Sequence, residues 1–155
     1  MGTANQGKFA EGEVKKYLDA LGKRWACFDW ERIPDARTMR GKGAQAVPGD
    51  FQAWAMIEGE RNAFLFEVKE VSDSLTRLPY HNYGADAVGR GYKRQLAGVE
   101  VWVLVCHKQN KTWRMVPLDV FRVRNAKTPS GSWDLSAYPV MTHTFALSYI
   151  IGLQP

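Results

Sequence analysis

Hydrophobic residues recur along the chain at two spacings, and the change between these spacings divides it into helices and strands. Between Gly7 and Leu21, apolar residues three and four positions apart form one helical stripe, and Gly22 is typical of a helix end. A weaker helical pattern covers residues 85–97, where two glycines interrupt it. Alternating or continuous apolar runs predict strands at residues 25–30, 50–57, 63–69, 99–106 and 112–116.

The order of these elements predicts an α/β or α+β fold in which helices cover a mixed β-sheet. Residues 99–106 are apolar on both faces, which is typical of a central strand. After residue 117 the pattern weakens: Val120 and Phe121 fit the end of a short helix, and residues 145–153 fit either a strand or a helix. A length of 155 residues indicates a single domain, 1–155.

The second and third strands pair as an antiparallel hairpin if their apolar faces are matched, because facing residues in such a pair point to the same side of the sheet. This match puts Phe51 opposite Val68 and Asp50 opposite Lys69. A slip of one residue would bury charged side chains, so the pattern favours this register over its immediate neighbours. Asp50, Glu67 and Lys69 then converge at one end of the hairpin.

Charge points to a class of partner. The chain has 21 Lys and Arg residues against 16 Asp and Glu, a net charge of +5 and an isoelectric point near 9.3. Nucleic acid is the commonest partner of small basic domains, although +5 is equally consistent with a charge that serves solubility alone. Cys27 and Cys106 lie far apart in apolar stretches, which predicts buried free thiols in a reducing compartment rather than a zinc site.

No apolar run approaches the ~18 residues that a membrane helix needs, and the start of the chain lacks the apolar segment of a secretory signal. We therefore expect a cytoplasmic protein with no membrane partner, and the compact size suits a prokaryote or a phage-infected cell.

Two carboxylates and a lysine are the residues whose types match a definite chemistry. Hydrolysis of a phosphodiester needs neutralised charge at phosphorus and an activated water, and Mg²⁺ bound by oxygen ligands supplies both. Asp50, Glu67 and the backbone carbonyl of Val68 would supply such ligands. Lys69 lies on the same strand face as Glu67, where its ammonium would hold the attacking water or, with a lowered pKa, act as a general base. The alternative is a surface ion-pair cluster of Asp50 and Lys69 without catalysis.

The same residues resemble a known signature. Pro48-Gly49-Asp50, followed by Glu67-Val68-Lys69 in an apolar strand, resembles the motif of the PD-(D/E)XK nucleases, with a glycine between the proline and the aspartate. The segment from Gly7 to Glu11 resembles the Gly-x-x-x-Glu helix start of the archaeal and RecU-type Holliday-junction resolvases. The resemblance covers about residues 7–118, which we take as the nuclease core, and leaves about 119–155 as a C-terminal extension.

This resemblance implies a restriction-endonuclease-like mixed sheet flanked by helices, and a metal site of four groups. These are the carboxylates of Glu11, Asp50 and Glu67 and the carbonyl of Val68, holding Mg²⁺ for which Mn²⁺ would substitute. The helical stripe also turns Glu11 inward, since it is aligned with apolar positions three and seven residues later. Glu13 remains the rival on the same helix.

Basic residues are candidates for DNA contacts. Arg37, Arg40 and Lys42 lie in a long Gly- and Pro-rich loop, residues 33–49, which precedes Asp50. Arg77 follows the Glu67–Lys69 strand. The resemblance adds Lys93 and Gln95, because a helix after that strand often carries a Lys or Gln near the site. Tyr80 and Tyr83 are candidates for stacking on bases. Later basic residues that could also contact phosphate are Lys108, Lys111, Arg114, Arg122, Arg124 and Lys127.

The function that these expectations favour is a metal-dependent, structure-specific DNA endonuclease that resolves Holliday junctions. The resemblance implies a symmetric homodimer, because two strands of a four-way junction must be cut at related positions. Another PD-(D/E)XK nuclease of repair, recombination or restriction type, a non-catalytic nucleic-acid-binding domain and a protein-interaction adaptor remain the alternatives. Small size without a separate specificity domain favours recognition of DNA structure over sequence.

Overall fold

A computed structural model describes residues 8–34, 50–125, 127 and 131–155. The predicted fold class is confirmed, because a mixed five-stranded sheet lies between helices. The helices are α1 (Lys8–Arg24), α2 (Ala85–Leu96) and α3 (His143–Ile151), with 3₁₀ helices at Tyr80–Asn82 and Leu118–Arg122. The strands are β1 (Phe28–Arg32), β2 (Phe51–Ile57), β3 (Glu60–Val71), β4 (Arg77–Pro79), β5 (Glu100–His107), β6 (Thr112–Pro117) and β7 (Ser132–Asp134).

The main sheet has the strand order β1-β2-β3-β5-β6, and β4 pairs separately with β7. All neighbours in the main sheet are antiparallel except β3 and β5, which run parallel. The connection between these parallel strands contains α2. One apolar core lies between the sheet and the helices α1 and α3, and a second lies between the sheet and α2. The strand predicted at residues 99–106 is interior, as expected, since β3 and β6 flank it.

Helix α1 forms because its apolar stripe is buried in the first core. Val14, Leu18 and Leu21 are fully buried there. The helix continues past Gly22 to Arg24, so the predicted end at Gly22 is wrong. A Cβ atom at this glycine would lie 3.6 Å from the ring of Trp30, which is an ordinary packing distance between the helix and β1.

The β2–β3 hairpin has a different register from the predicted one. Phe51 pairs with Phe66 rather than with Val68, a shift of two residues. Glu58 and Gly59 both have positive φ, 53° and 79°, and form a two-residue turn that fixes the register. A shift of two residues leaves every side chain on its original face, so the apolar pattern cannot distinguish the two registers.

The region after residue 118 contributes to both cores. Helix α3 buries four residues against α1 and the sheet, Ala146, Leu147, Ile150 and Ile151. Thr142 caps its N-terminus by accepting a hydrogen bond from the Phe145 amide at 3.1 Å. Trp133 and Leu135 are buried in the second core. The segment that fitted a strand or a helix is therefore a helix, because tertiary burial and a cap decide between the two.

Arg114 connects this C-terminal region to the segment that follows β3. It is 6% exposed and donates hydrogen bonds to the carbonyls of Leu75 at 2.8 Å and Tyr138 at 3.0 Å. His107, fully buried beside it, lies 3.2 Å from the same guanidinium. The suggestion that Arg114 contacts phosphate is therefore wrong, because its charge is enclosed and its donors are used within the fold.

The two cysteines differ. Cys106 is buried in β5, as predicted, whereas Cys27 is exposed in the turn before β1, contrary to the prediction. The strand begins at Phe28, three residues later than its apolar run suggested, and this leaves Cys27 outside it. No helix in the described part of the chain is long and apolar enough to cross a bilayer.

Candidate active site

A cavity of about 210 Å³ opens at the N-terminal end of β2, and its lining is mostly polar. In the described residues β2 begins at Phe51, opposite Phe66, so from Glu67 onwards β3 pairs with β5 but no longer with β2. The space beside this part of β3 is lined by side chains from β3, from the start of α1 and from the segment before α2. The lining residues are Glu11, Asp50, Glu67, Val68, Lys69, Glu70 and Asn82.

Backbone and side-chain hydrogen bonds hold Asp50 between two strands. Its amide donates to the carbonyl of Phe66 at 2.9 Å, and its carbonyl accepts from the amide of Ile33 at 2.8 Å. The carboxylate oxygen Oδ2 accepts from the amide of Val68 at 2.7 Å. The register that brings Phe51 to Phe66 thus brings Asp50 next to Glu67, and the predicted pairing of Asp50 with Lys69 is wrong.

The buried environment makes Asp50 a weak acid. Burial raises its pKa to about 8, and the negative charge of Glu67 acts in the same direction. The Val68 amide and the ammonium of Lys69 oppose this shift, while Glu11 adds to it. Two carboxyl groups thus share a space in which the second negative charge is disfavoured, and a bound cation would remove that cost.

Lys69 is held beside this pair. Its Nζ atom lies 2.9 Å from Oε1 of Glu67, and both side chains are largely buried, with 20% and 10% exposure. The same Nζ lies 4.8 Å from the centre of the Tyr83 ring. An anion on one side and an aromatic face on another fix the ammonium at the cavity.

The side chain of Tyr83 is buried in the second core rather than exposed. The side chain is 2% exposed and contacts Phe121, while Tyr80 is 7% exposed and packs edge-on against Trp133. The expectation that these two tyrosines stack on bases is therefore wrong. Burial, followed by the charges of Glu67 and Asp50, raises the pKa of the Tyr83 hydroxyl, which keeps it protonated.

Helix α1 reaches the cavity through its first turn. Oε1 of Glu70 on β3 accepts a hydrogen bond from the Ala10 amide at 3.0 Å, so a strand carboxylate caps the helix N-terminus. Glu11 follows directly and lines the cavity, where its Oε2 lies 2.6 Å from Nη2 of Arg32. Glu13 points elsewhere, to Lys16 at 3.4 Å and His143 at 3.7 Å.

The donor chemistry of the cavity fits a hard divalent cation. Among the described residues, no three His, Cys, Asp or Glu side chains form a ready-made metal cluster. Mg²⁺, however, needs only one or two carboxylates and retains several waters. Asp50, Glu67 and the carbonyl of Val68 meet that requirement. Glu11, whose Oε2 contacts Arg32, lines the same cavity and would be a further ligand.

The other candidate residues lie away from the cavity. Arg77 is exposed on β4, where it donates to Ser132 at 3.2 Å and lies 3.9 Å from Asp134. Lys93 is exposed on α2, and Gln95 donates to Asp119 at 3.3 Å. Neither residue lines the cavity, since α2 carries Lys93 roughly 12 Å along its axis from Ala85. Their contact with DNA stays a prediction. Arg37, Arg40, Lys42, Pro48 and Gly49 lie outside the described residues.

Two lining residues were absent from the sequence-based candidates. Glu70 follows Lys69 directly in the sequence, and this neighbouring position was the one sign that it could lie near the site. Nothing in the sequence indicates its contact with the start of α1. Asn82 lies in a polar stretch, residues 70–84, whose pattern has no period from which a direction could be inferred.

Comparison with known proteins supports the fold. One solved structure that matches is Hjc from Archaeoglobus fulgidus, a Holliday junction resolvase from an archaeal hyperthermophile. The two share 20% identity with a TM-score of 0.52, over 90% of this chain and 96% of Hjc. No protein-family model and no curated protein matches the sequence. At this identity, the similarity shows that the two chains have the same fold.

The raised pKa of Asp50 predicts a pH-dependent effect of Asp50→Asn on the stability of the metal-free protein. The ordinary value is about 4 and the folded value about 8, so between them the unfolded chain loses its proton first and the free energy of unfolding falls as pH rises. Asn cannot ionise and still accepts from the Val68 amide. In EDTA at pH 8 we expect the variant to melt several degrees above the wild type, for a gain of ~1–2 kcal/mol.

The difference in melting temperature should shrink as the pH falls towards 4, because the folded carboxyl is then protonated and the unfolded carboxyl is about half protonated. Asp73→Asn, at an exposed position, controls for the replacement of an aspartate as such. A melting difference for Asp50→Asn that stays constant from pH 4 to pH 8 would contradict the assignment.

Proposed function

We propose that this protein is a metal-dependent DNA endonuclease of the PD-(D/E)XK type that cuts four-way junctions. The observation that carries the proposal is the cavity in which Asp50, Glu67 and Lys69 meet. The Val68 amide fixes Asp50 there, and burial together with the charge of Glu67 raises the pKa of Asp50. Crowded buried carboxylates are costly in a structural role, and such perturbed groups are typical of functional sites. The shared fold with Hjc, a Holliday junction resolvase, supports the same conclusion.

In this proposal each residue has a distinct task. Asp50, Glu67 and the Val68 carbonyl would hold Mg²⁺, which supplies charge neutralisation at the phosphate and an acidified water. Lys69 Nζ, held by Glu67 and the Tyr83 ring, donates hydrogen bonds to the attacking water and to a phosphate oxygen. Its positive charge stabilises the negative charge that develops during in-line displacement. Glu70 positions the first turn of α1, and with it Glu11.

The junction substrate and the dimer belong to the proposal as well. A two-fold homodimer presents two such cavities in symmetry-related positions, which matches paired incisions in a four-way junction. Nucleases of the same core that act on duplexes or ends are the second candidate. The experiment incubates the purified protein with a labelled four-way junction, its duplex arms and the single strands, each with Mg²⁺, Mn²⁺ or EDTA.

Symmetric paired nicks in the junction alone, dependent on metal, are the expected result. Metal-dependent cutting of duplexes or ends would support the proposed phosphodiester hydrolysis and exclude the preference for junctions. If no substrate is cut, the nuclease function is excluded and DNA binding without cleavage is the alternative. Sedimentation of the protein alone and with the junction measures whether two copies bind one junction.

Removing the proposed ligands should abolish cleavage without unfolding the protein. We expect Asp50→Asn, Glu67→Gln and Lys69→Ala each to lower the cleavage rate by at least about 10²-fold. Binding of DNA in EDTA above about pH 8, where Asp50 is ionised, should be unchanged or stronger for the two carboxylate variants, since metal-free carboxylates repel phosphate. Single-turnover cleavage and circular dichroism measure the two effects. Cleavage by Asp50→Asn at the wild-type rate would overturn the proposal.

The two helix glutamates form a matched pair for a second test. Glu11 lines the cavity, whereas Glu13 contacts Lys16 and His143. We therefore expect Glu11→Gln to weaken Mn²⁺ binding and cleavage about tenfold or more, and Glu13→Gln to leave both near the wild-type values. Calorimetric titration with Mn²⁺ gives a readout that does not depend on turnover. Loss of binding and cleavage in Glu13→Gln alone would show that Glu13 is the ligand.

A further inference from the structure

A second groove, of about 500 Å³, lies between α2 and the 3₁₀ helix Leu118–Arg122. Its walls come from elements that pack closely: a Cβ atom on Gly91 would lie 3.3 Å from Leu118, and Gln95 donates to Asp119. Ala85, Val88 and Gly89 of α2 and Phe121 line the apolar part of the groove. This region includes residues beyond 118, among which the sequence analysis named Arg122 and Arg124 as candidates for contacts with phosphate.

Two arginines and a tyrosine complete the lining of this groove. The guanidinium of Arg122 lies 3.5 Å above the centre of the Tyr92 ring, and its Nη1 lies 3.6 Å from Asp119. Arg124 donates one N–H to the carbonyl of Tyr83 and lies 5.0 Å from the centre of the Trp133 ring. Stacking on aromatic rings fixes a guanidinium without using its five N–H donors. Both arginines are thus preorganised and retain capacity for hydrogen bonds to an anion.

The groove is open where a ligand would enter. A Cβ atom on Gly89 would meet no heavy atom within 4 Å, so the helix surface there faces free space. Of the charged residues described around the groove, Asp119 offsets one of the two guanidinium charges, which leaves a net positive lining. A concave surface with an apolar floor and fixed guanidinium groups matches a sugar–phosphate chain, whose phosphates need donors and whose sugars need apolar contact.

The groove adjoins the candidate active site through Tyr83. Lys69 contacts the ring of this residue, and Arg124 contacts its carbonyl. Asn82 lines the carboxylate cavity and Ala85 lines the groove, so their Cα atoms are at most about 11 Å apart. At 3.4 Å of axial rise per nucleotide in one strand, this upper limit corresponds to roughly three nucleotides. The separation of these two lining residues is thus short enough for one DNA strand to contact both.

We propose that the groove between α2 and the 3₁₀ helix binds the DNA backbone a few nucleotides from the scissile phosphate. Arg122 and Arg124 contact phosphate oxygens, and the floor at Val88 and Gly89 contacts the sugars. The inference rests on the proposed function in taking DNA as the ligand. It assigns to this groove a share of binding that depends on salt and is independent of base sequence.

Two variants test the groove by different means. Arg122→Ala removes a charge at the rim, whereas Gly89→Met fills the groove and leaves the net charge unchanged. The second substitution also improves helix propensity, so lost binding cannot be attributed to unfolding. Arg61→Ala is the matched control, because it removes one exposed positive charge at the start of β3, six residues before Glu67. Asp119→Asn retains an acceptor for Gln95 and removes the acidic charge beside Arg122.

Binding is measured by fluorescence anisotropy in EDTA, with a labelled four-way junction and with a duplex arm, at several salt concentrations. We expect Arg122→Ala and Gly89→Met to bind both DNAs about tenfold more weakly, and Asp119→Asn to bind at least as tightly as the wild type. The slope of log K against log salt should fall by about 1 for Arg122→Ala. Arg61→Ala should bind within about twofold of the wild type.

The outcomes separate this inference from the proposed function. Wild-type affinity of Arg122→Ala and Gly89→Met for DNA would overturn the proposal that the groove binds DNA, even if metal-dependent cleavage is observed. Weakened DNA binding by these two variants, in a protein that cuts no DNA with any metal, would support DNA binding by the groove and overturn the proposed nuclease function. Absence of DNA binding by the wild-type protein at about 50 mM salt would overturn both.

Discussion

One hydrogen bond, from the Val68 amide to the carboxylate of Asp50, holds together the part of the molecule on which the proposed chemistry depends. It joins the residue before β2 to the strand that carries Glu67 and Lys69. The bond fixes two carboxyl groups in a buried space, where the pKa of Asp50 rises to about 8. Such proximity costs stability, and buried carboxyl groups with perturbed pKa values are typical of functional sites.

Two local interactions set the positions of the residues around this bond. The two-residue turn at Glu58 and Gly59 sets the strand register, and the register places Asp50 beside Glu67. Glu70 caps α1 from the neighbouring strand position, which carries Glu11 to the cavity. Consecutive residues of one strand thus serve different tasks because their side chains alternate between the two faces of the sheet.

The sequence determined the elements and their faces better than it determined distances. Alternation in β2 and β3 predicted the sides on which Phe51 and Glu67 lie, yet it could not distinguish registers two residues apart, which the turn decides. Asp50, Glu67 and Lys69 were therefore placed together correctly, while the partner of Asp50 was wrong. The cap from Glu70 and the position of Asn82 depend on contacts between residues distant in the chain, for which a single sequence carries no signal. The same holds for Lys93 and Gln95, whose distance from the cavity follows from the direction of α2.

Tyr83 is in contact with residues of both the candidate site and the neighbouring groove. Its ring contacts Lys69 on the side of the carboxylates, its carbonyl accepts from Arg124 on the side of the groove, and Phe121 packs against it between them. A buried aromatic residue cannot shift without disturbing all three contacts, since protein interiors are close-packed. The positions of Lys69 and of Arg124 are therefore coupled by packing. Under the two proposals, a DNA strand that spans them would meet side chains that are already held in place, so that little ordering cost would oppose association.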